Sequence, residues 1–137
     1  IYRLTEDYLG IDEQVRVLWP GQFREAAAVC KRNGIYYMLT SGCTGWKPNQ
    51  GKYSWAESLT GRWSLLKEFG DGTTYDSQPA FILPVFTEKG TEYLYVGDRW
   101  CAENYEDSTY VFLPLHFEKE HDLSLEYQEE IALENYR

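Results

Sequence analysis

Short apolar or alternating stretches recur along the whole chain, with turn-forming Gly, Pro, Asn and Asp residues between them. These stretches predict β-strands at residues 15–19, 26–31, 35–41, 53–58, 63–69, 81–87, 91–96, 108–117, 123–127 and 131–133. Pro114 lies inside one of them, which favours a sheet edge or a bulge there. No stretch has convincing helical periodicity. The pattern predicts an all-β protein, and alone it does not separate a sandwich, a barrel and a propeller.

The strongest local signal is Asn33-Gly34, which lies between two of the predicted strands. Both residues tolerate positive φ, so the pair predicts a tight hairpin in which facing residues have numbers that sum to about 67. Cys30 should therefore face Tyr37, and Cys43 should lie opposite residue 24. This separation argues against a disulfide between Cys30 and Cys43.

Candidate chemistry lies where this hairpin begins and where it ends along the sequence. Glu25 stands at the start of the first strand, and three alanines follow it, which leaves room around its carboxyl group. The second strand ends in Gly42-Cys43-Thr44-Gly45-Trp46, where two glycines and an indole could form the rim of a site for a flat ligand.

Composition narrows the possible partners. The chain has 137 residues, enough for one domain, and its 13 Lys and Arg against 22 Asp and Glu give a net charge of −9. That charge argues against nucleic-acid binding and is compatible with a neutral ligand. Aromatic residues make up 17% of the chain, which suits a Tyr-rich β core and also stacking on sugar rings. No segment could span a membrane, and no cysteine or histidine spacing indicates a metal or a cofactor.

One set of motifs resembles glycoside hydrolase family 43, in particular its exo-β-1,3-galactanase branch. The matching residues are Glu25-Ala26-Ala27-Ala28, Lys31-Arg32, Tyr36-Tyr37, Thr44-Gly45-Trp46 and Pro48-Asn49. Two positions depart from the family pattern: Ala27 replaces a proline and Cys30 replaces an aromatic residue. Both departures affect packing more than chemistry.

The resemblance implies a five-bladed β-propeller, of which residues 1–137 would form the C-terminal two to three blades, roughly four strands each. The N-terminal blades would be absent from this chain. Because natural proteins cover exposed strand edges, we expect the chain to associate with those missing blades or with a copy of itself. The resemblance also implies an extracellular or periplasmic location.

The same resemblance assigns roles to individual residues. Glu25 matches the general acid of glycoside hydrolysis. Gln78, in Asp76-Ser77-Gln78, matches a position where this branch has a glutamine or glutamate in place of the usual catalytic aspartate. An amide is a very poor base, so Gln78 can only orient a water molecule unless it acts through its imidic tautomer. Without the resemblance, Glu25 would be interpreted as a surface glutamate and Gln78 as a loop amide bonded to the backbone.

Further residues are assigned to the sugar site. Thr44, Trp46 and Asn49 would form the rim of the subsite, with Ser77 and Trp100 as further substrate-binding candidates. Trp100 ends the family-like motif Gly97-Asp98-Arg99-Trp100. The sequence allows two roles for it, a platform for a sugar ring or a core residue. Asp98-Arg99 is interpreted as a structural ion pair, and His116 as a packed strand residue. The family's aspartate that raises the pKa of the acid has no match in residues 1–24, so this chain alone should lack part of its active site.

The sequence therefore predicts part of an inverting enzyme that hydrolyses β-1,3-galactan-type polysaccharide and needs no cofactor or metal. The alternative is a non-catalytic carbohydrate-binding or scaffold fragment. A third interpretation is a plain β-domain whose aromatic residues only form the core.

Overall fold

A computed structural model describes residues 1–132, and these fold into three antiparallel sheets. A two-stranded hairpin is formed by β1 (Tyr2–Leu4) and β2 (Ile11–Gln14). The next sheet contains β3 (Arg24–Arg32), β4 (Ile35–Gly42), β5 (Lys52–Ala56) and β6 (Lys67–Glu68). The last contains β7 (Gln78–Thr87), β8 (Gly90–Arg99), β9 (Thr109–Phe117) and β10 (Leu123–Leu125). Apart from short 3₁₀ turns at Tyr105–Asp107 and Lys119–His121, the described residues contain no helix, and none that could cross a membrane.

Each four-stranded sheet is a simple meander in which consecutive strands are neighbours. The first strand of one sheet, β3, approaches the first strand of the other, β7. Four-stranded meanders whose first strands lie side by side are the arrangement of adjacent blades in a β-propeller, as predicted. We call the β3–β6 sheet blade A and the β7–β10 sheet blade B.

The main core lies between the two blades. Its buried side chains include Leu39 and Tyr53 from blade A, and Tyr95 and Leu113 from blade B, all at most 2% exposed. A smaller cluster covers the other face of blade A, where Met38 and Trp63 pack with Leu18 and Trp19 from the segment before β3. Blade A is thus covered on both faces by parts of this chain.

The Asn33-Gly34 hairpin has the predicted register near its turn, where Cys30 faces Tyr37. The register shifts by one residue beyond a bulge between Glu25 and Ala28, so that Arg24 faces Gly42 and not Cys43. The bulge is the physical reason for the difference, since it inserts an extra residue into β3. All three cysteines, Cys30, Cys43 and Cys101, are free.

Several predicted strands have different bounds. Residues 15–18 form no strand and lead into a turn at 19–21, because the hairpin with β1 ends at Gln14. Within 63–69 only Lys67–Glu68 pairs as a strand, since the hydroxyl of Ser64 bonds to Ser54 and accepts from the backbone N–H of Trp55, replacing a regular ladder. In 131–133, residues 131 and 132 form no strand and residue 133 lies outside the described residues.

Two predictions on blade B concern β9. Pro114 lies where the β10 ladder has already ended, since the last pair is Leu125 with Leu115. The proline therefore interrupts no bond to β10, as expected for an edge-like position. His116 is exposed on β9, so the prediction of a packed histidine is wrong. Strand alternation explains this, because its neighbour Leu115 takes the buried face.

Candidate active site

Glu25 lies near the start of β3, directly before the bulge. Ala26 in this bulge has a φ of 53°, a left-handed conformation that an alanine rarely adopts. Bulges bend a strand and change the direction of neighbouring side chains. Here Glu25 is paired with Ser41 of β4, and its exposed side chain reaches towards blade B.

Gln78 occupies the matching place on blade B, at the first residue of β7. This strand also has a register shift directly afterwards, between Pro79 and Phe81. Since β3 and β7 are neighbours, the two bulged strand starts bring Gln78 to Glu25 although 53 residues separate them in the chain. The seam between the blades is therefore the place where the predicted catalytic pair meets.

The turn before Gln78 has unusual backbone geometry. Thr74, Tyr75 and Asp76 have consecutive φ values of 54°, 55° and 56°. Left-handed conformations of such residues cost roughly 1–3 kcal/mol each and persist only where the surroundings fix them. Here Asp71 accepts hydrogen bonds from the backbone N–H groups of Thr73 and Tyr75, and Arg99 donates two bonds to the carbonyl of Tyr75 (3.2 and 3.0 Å).

Thr74 connects this turn to blade A. Its hydroxyl is completely buried, donates to the carbonyl of Asn49 (2.8 Å) and accepts from the N–H of Gly51 (2.7 Å). The loop that carries Trp46 and Asn49 is thereby joined to the turn that carries Gln78. One side chain fixes the relative position of both walls of the site.

The amide of Gln78 is bonded on all sides. Its Nε2 donates to Oε1 of Glu25 (3.0 Å) and to Oγ of Ser41 (2.9 Å), and its Oε1 accepts from the indole Nε1 of Trp100 (3.0 Å). Both donor hydrogens and one acceptor lone pair are thus used. The arrangement can hold an amide in one orientation, and it presents a carboxyl group beside a hydrogen-bond donor.

A pocket opens beside this amide. Its lining includes Ser41, Trp46, Asn49, Gln78, Asp98 and Trp100. The rings of Trp46 and Trp100 meet edge to face with centroids 5.9 Å apart. Aromatic rings beside amide and carboxyl groups suit a sugar, which has apolar faces and hydroxyl edges. Glu25 lines an adjoining groove with Trp19 and Met38, so the Gln78–Glu25 contact separates two depressions.

The structure gives different surroundings to the five predicted substrate-binding residues. Trp46 is 56% exposed at the pocket, as a sugar platform would need. Asn49 accepts from the N–H of Gly42 and donates to its carbonyl, and it also donates to Thr44 (2.7 Å). Thr44 in turn donates to the carbonyl of Lys47 (2.5 Å). The polar groups of Thr44 and Asn49 therefore close their own loop.

Ser77 and Trp100, the other two, also bond to protein groups. Ser77 is only 3% exposed. Its hydroxyl donates to the carbonyl of Thr74 (2.5 Å) and shares a hydrogen bond with the hydroxyl of Tyr95 (2.8 Å). Trp100 is half-buried and bonded to Gln78. Substrate contact by these five residues stays a prediction.

Two residues of the site were not assigned to it by the sequence analysis. Ser41, which is 2% exposed, anchors Gln78, and the hairpin register already places it within one residue of the partner of Glu25. Asp98 faces Gln78 across β7 and β8 and lines the pocket, and burial raises the pKa of its carboxyl group. The signal for Asp98 was its pairing with Gln78, which becomes visible only once the register of β7 and β8 is known.

The interpretation of Asp98 and Arg99 as an ion pair is wrong. Arg99 donates to the carbonyl of Tyr75 and lies over the ring of Tyr127, whereas Asp98 lines the pocket. Successive residues of a strand point to opposite faces of the sheet, which separates the two charges. Within residues 1–132, no group of three His, Cys, Asp or Glu side chains could hold a metal ion.

Comparison with known proteins shows which enzymes share this fold. No protein-family model matches the chain, and no curated protein matches it. Among solved structures, the exo-β-1,3-galactanase of Clostridium thermocellum is 50% identical over 92% of this chain, with a TM-score of 0.87. A β-1,3-galactosidase of glycoside hydrolase family 43, BT0265, is 30% identical over 98% of it, with a TM-score of 0.85. This chain belongs to glycoside hydrolase family 43.

A third similar structure is that of the exo-β-1,3-galactanase of Phanerochaete chrysosporium with β-1,3-galactotriose. It is 29% identical over 99% of this chain, with a TM-score of 0.84. The chain spans 28%, 29% and 31% of the lengths of these three structures. It therefore matches a segment of these family 43 β-propellers, and the two blades of the structure are propeller blades.

Proposed function

We propose that the protein containing this chain hydrolyses O-glycosidic bonds in β-1,3-galactan-type polysaccharide. The observation that carries the proposal is the contact of Gln78 with Glu25 and Ser41 across the blade seam, beside a pocket with two tryptophans. The similar galactanases support the choice of linkage. The family resemblance further supports an inverting mechanism that takes place outside the cytoplasm.

In this mechanism Glu25 is the general acid. Its exposed carboxyl group lies at the seam, where it can protonate the glycosidic oxygen that leaves. Gln78 orients the attacking water through its amide. Since an amide is too weak a base to remove a proton readily, the proton that this water loses passes to bulk solvent. The rim residues Trp46, Thr44 and Asn49 shape the subsite, with Ser77 below and Trp100 behind Gln78.

The separation of the two groups sets a condition on this mechanism. In inverting glycosidases the two catalytic groups are usually about 6.5–9.5 Å apart, to leave room for sugar and water. Here Nε2 of Gln78 and Oε1 of Glu25 are 3.0 Å apart. Substrate must therefore displace this hydrogen bond. Glu25 is the exposed partner and Gln78 the anchored one, so Glu25 is the group that turns away.

A hydrolysis assay tests the proposal. β-1,3-Galactobiose and an aryl β-galactoside are incubated with this chain and with a longer form that supplies the remaining blades. Release of galactose by either form supports the proposal. Quenching of tryptophan fluorescence by galactan fragments without hydrolysis by either form would support the non-catalytic carbohydrate-binding alternative. If neither hydrolysis nor quenching is observed, the plain β-domain is the interpretation that remains.

We also propose that the outer face of blade B and the N-terminal hairpin are covered by other propeller blades or by a second copy of the chain. Phe81, Leu83 and Phe112 of blade B are 48%, 36% and 45% exposed. The N-terminal hairpin exposes Tyr2 and Ile11 at 55% and 63%. Groups of exposed apolar side chains on sheets usually mark a contact surface.

A further inference from the structure

Trp100 is held in one position by two aromatic neighbours. Its ring stacks on Tyr105, with centroids 5.6 Å apart and an interplanar angle of 21°. Trp46 meets it edge to face on another side. Because the plane of the indole is fixed by these contacts, the direction of its N–H is fixed as well. That N–H points at Oε1 of Gln78, 3.0 Å away.

The indole nitrogen is a donor and never an acceptor. It therefore selects one of the two orientations of the Gln78 amide. With Oε1 towards Trp100, the amide nitrogen must face Glu25 and Ser41, as observed. The opposite orientation would place two N–H donors against each other at Trp100 and an amide oxygen against the carboxyl group of Glu25. Such unmatched polar groups are costly where they are shielded from water.

We propose that Trp100 is a positioning residue, whose indole N–H fixes the Gln78 amide so that it presents a hydrogen-bond donor towards Glu25 and the substrate. This inference rests on the proposed function for the role of Gln78, but its structural part holds independently of catalysis. It also gives Trp100 a task other than the sugar platform that the sequence suggests.

The consequence for the chemistry of Gln78 is specific. When Glu25 turns towards a substrate, one amide hydrogen of Gln78 becomes free, and Ser41 keeps the other. The freed group donates to an oxygen of water or sugar. The carbonyl oxygen remains bonded to Trp100, which matches the ordinary amide form. In this form Gln78 therefore orients its ligand by donation.

Nuclear magnetic resonance of the side-chain amide tests the inference without any need for activity. In the parent chain, the Gln78 amide protons should exchange slowly with solvent. Trp100→Phe keeps an aromatic ring and removes the donor, so the exchange should become roughly tenfold faster, as expected for loss of one hydrogen bond. Trp46→Phe is the matched control, since it keeps an aromatic ring against Trp100 and removes only an indole N–H for which the described residues provide no hydrogen-bond partner. It should leave the Gln78 signal unchanged.

An unchanged exchange rate in Trp100→Phe would overturn the inference, and so would equal acceleration in both variants, which would indicate a general opening of the pocket. A reciprocal measurement covers the case in which Trp100→Phe does not fold. In Gln78→Ala, the exchange of the Trp100 indole proton should accelerate, again roughly tenfold. No change there would equally refute the pairing.

Kinetics separate positioning from sugar binding if the protein is active. A positioning role predicts that Trp100→Phe lowers kcat about tenfold while KM changes little, because the hydrogen bond acts on Gln78. A sugar platform predicts a raised KM with kcat nearly unchanged. The second result would overturn the positioning role. Absence of activity both in this chain and in the longer form would instead refute the proposed function, while the exchange measurement would still decide the role of Trp100.

Discussion

At the scale of single residues, Glu25 has two neighbours of different chemistry. Gln78 donates a hydrogen bond to it, and the thiol of Cys43 lies close enough for Glu25 to raise the pKa of that thiol. The first neighbour is part of the proposed catalytic pair. The second provides a chemical probe of the same carboxyl group, which needs no substrate.

The chemical role of Glu25 is tested by Glu25→Gln in an active form of the protein. The variant keeps the shape and removes the proton donor, so hydrolysis should slow by about a hundred- to ten-thousand-fold. The loss should be greatest for substrates with poor leaving groups, since activated aryl galactosides need less protonation. Gln78→Ala should slow both substrate classes alike, because it acts on the water. Hydrolysis of galactobiose at the parental rate by Glu25→Gln would rule out this acid.

The reactivity of Cys43 tests the placement of Glu25. Partial loss of hydration raises the pKa of the exposed Cys43 thiol, the hydrogen bond and charge of Glu25 raise this pKa further, and the charge of Arg24 lowers it. Glu25→Gln removes the charge, so the thiolate fraction near pH 8 should rise and alkylation of Cys43 should accelerate. Mass spectrometry follows each of the three free thiols separately. Cys30, whose pKa is raised to about 12 by burial, serves as the unreactive internal control.

At the scale of elements, the hairpin and the meanders follow from sequence but the details that build the site do not. Asn33-Gly34 fixes the register up to the bulge. The bulge itself lies at Ala26, and no glycine occupies this position to indicate a positive φ in the sequence. The same holds for the turn at Thr74, Tyr75 and Asp76. Long-range contacts hold these conformations, and local propensity gives no sign of them.

Thr74→Val tests how strongly those contacts matter. The substitution keeps the shape and the backbone strain, but it leaves the N–H of Gly51 and the carbonyl of Asn49 without their buried partner. Each unsatisfied group costs about 1–3 kcal/mol. Urea denaturation should show a loss of about 2–4 kcal/mol. Thr60→Val, at an exposed position, is the control and should stay within about 0.5 kcal/mol of the parent.

The turn should also respond to acid through Asp71. Burial raises the pKa of this carboxyl group, but the donors of Tyr75 and Thr73 lower it by more, so its pKa lies below the ordinary value. A lowered pKa stabilises the folded state above the unfolded pKa of about 3.9, and this contribution disappears as pH falls through the folded pKa. The difference in urea midpoint between the parent and Asp71→Asn should therefore shrink from pH 6 towards pH 2. A constant difference would contradict this.

At the scale of the whole molecule, the apolar surfaces lie on opposite sides of the pair of blades. Through the resemblance to a larger propeller, the sequence predicts an exposed blade face with uncovered strand edges, but it does not show which side chains are exposed. Only the side-chain packing in the structure shows that blade A is covered on both faces. It also shows that the face of blade B with Phe81, Leu83 and Phe112 is open.

The assembly prediction follows from those surfaces. This chain alone should form dimers or larger species at micromolar concentrations, and light scattering after size-exclusion chromatography measures their mass. Phe112→Ser on the open face of blade B should shift the chain towards the monomer, since it removes exposed apolar area. Its neighbour Val111 is buried and is left unchanged. A stable, folded monomer of the parent would refute the prediction.

The hydrogen bond between Gln78 and Glu25 joins two sheets that share no strand ladder with each other. A slight tilt of one blade against the other would stretch this bond well before it disturbed the backbone pairing inside either sheet. The site is therefore a sensitive gauge of the angle between the blades. On gradual warming, the contact between Gln78 and Glu25 should be lost first, while the circular dichroism of the strands still reports an intact fold.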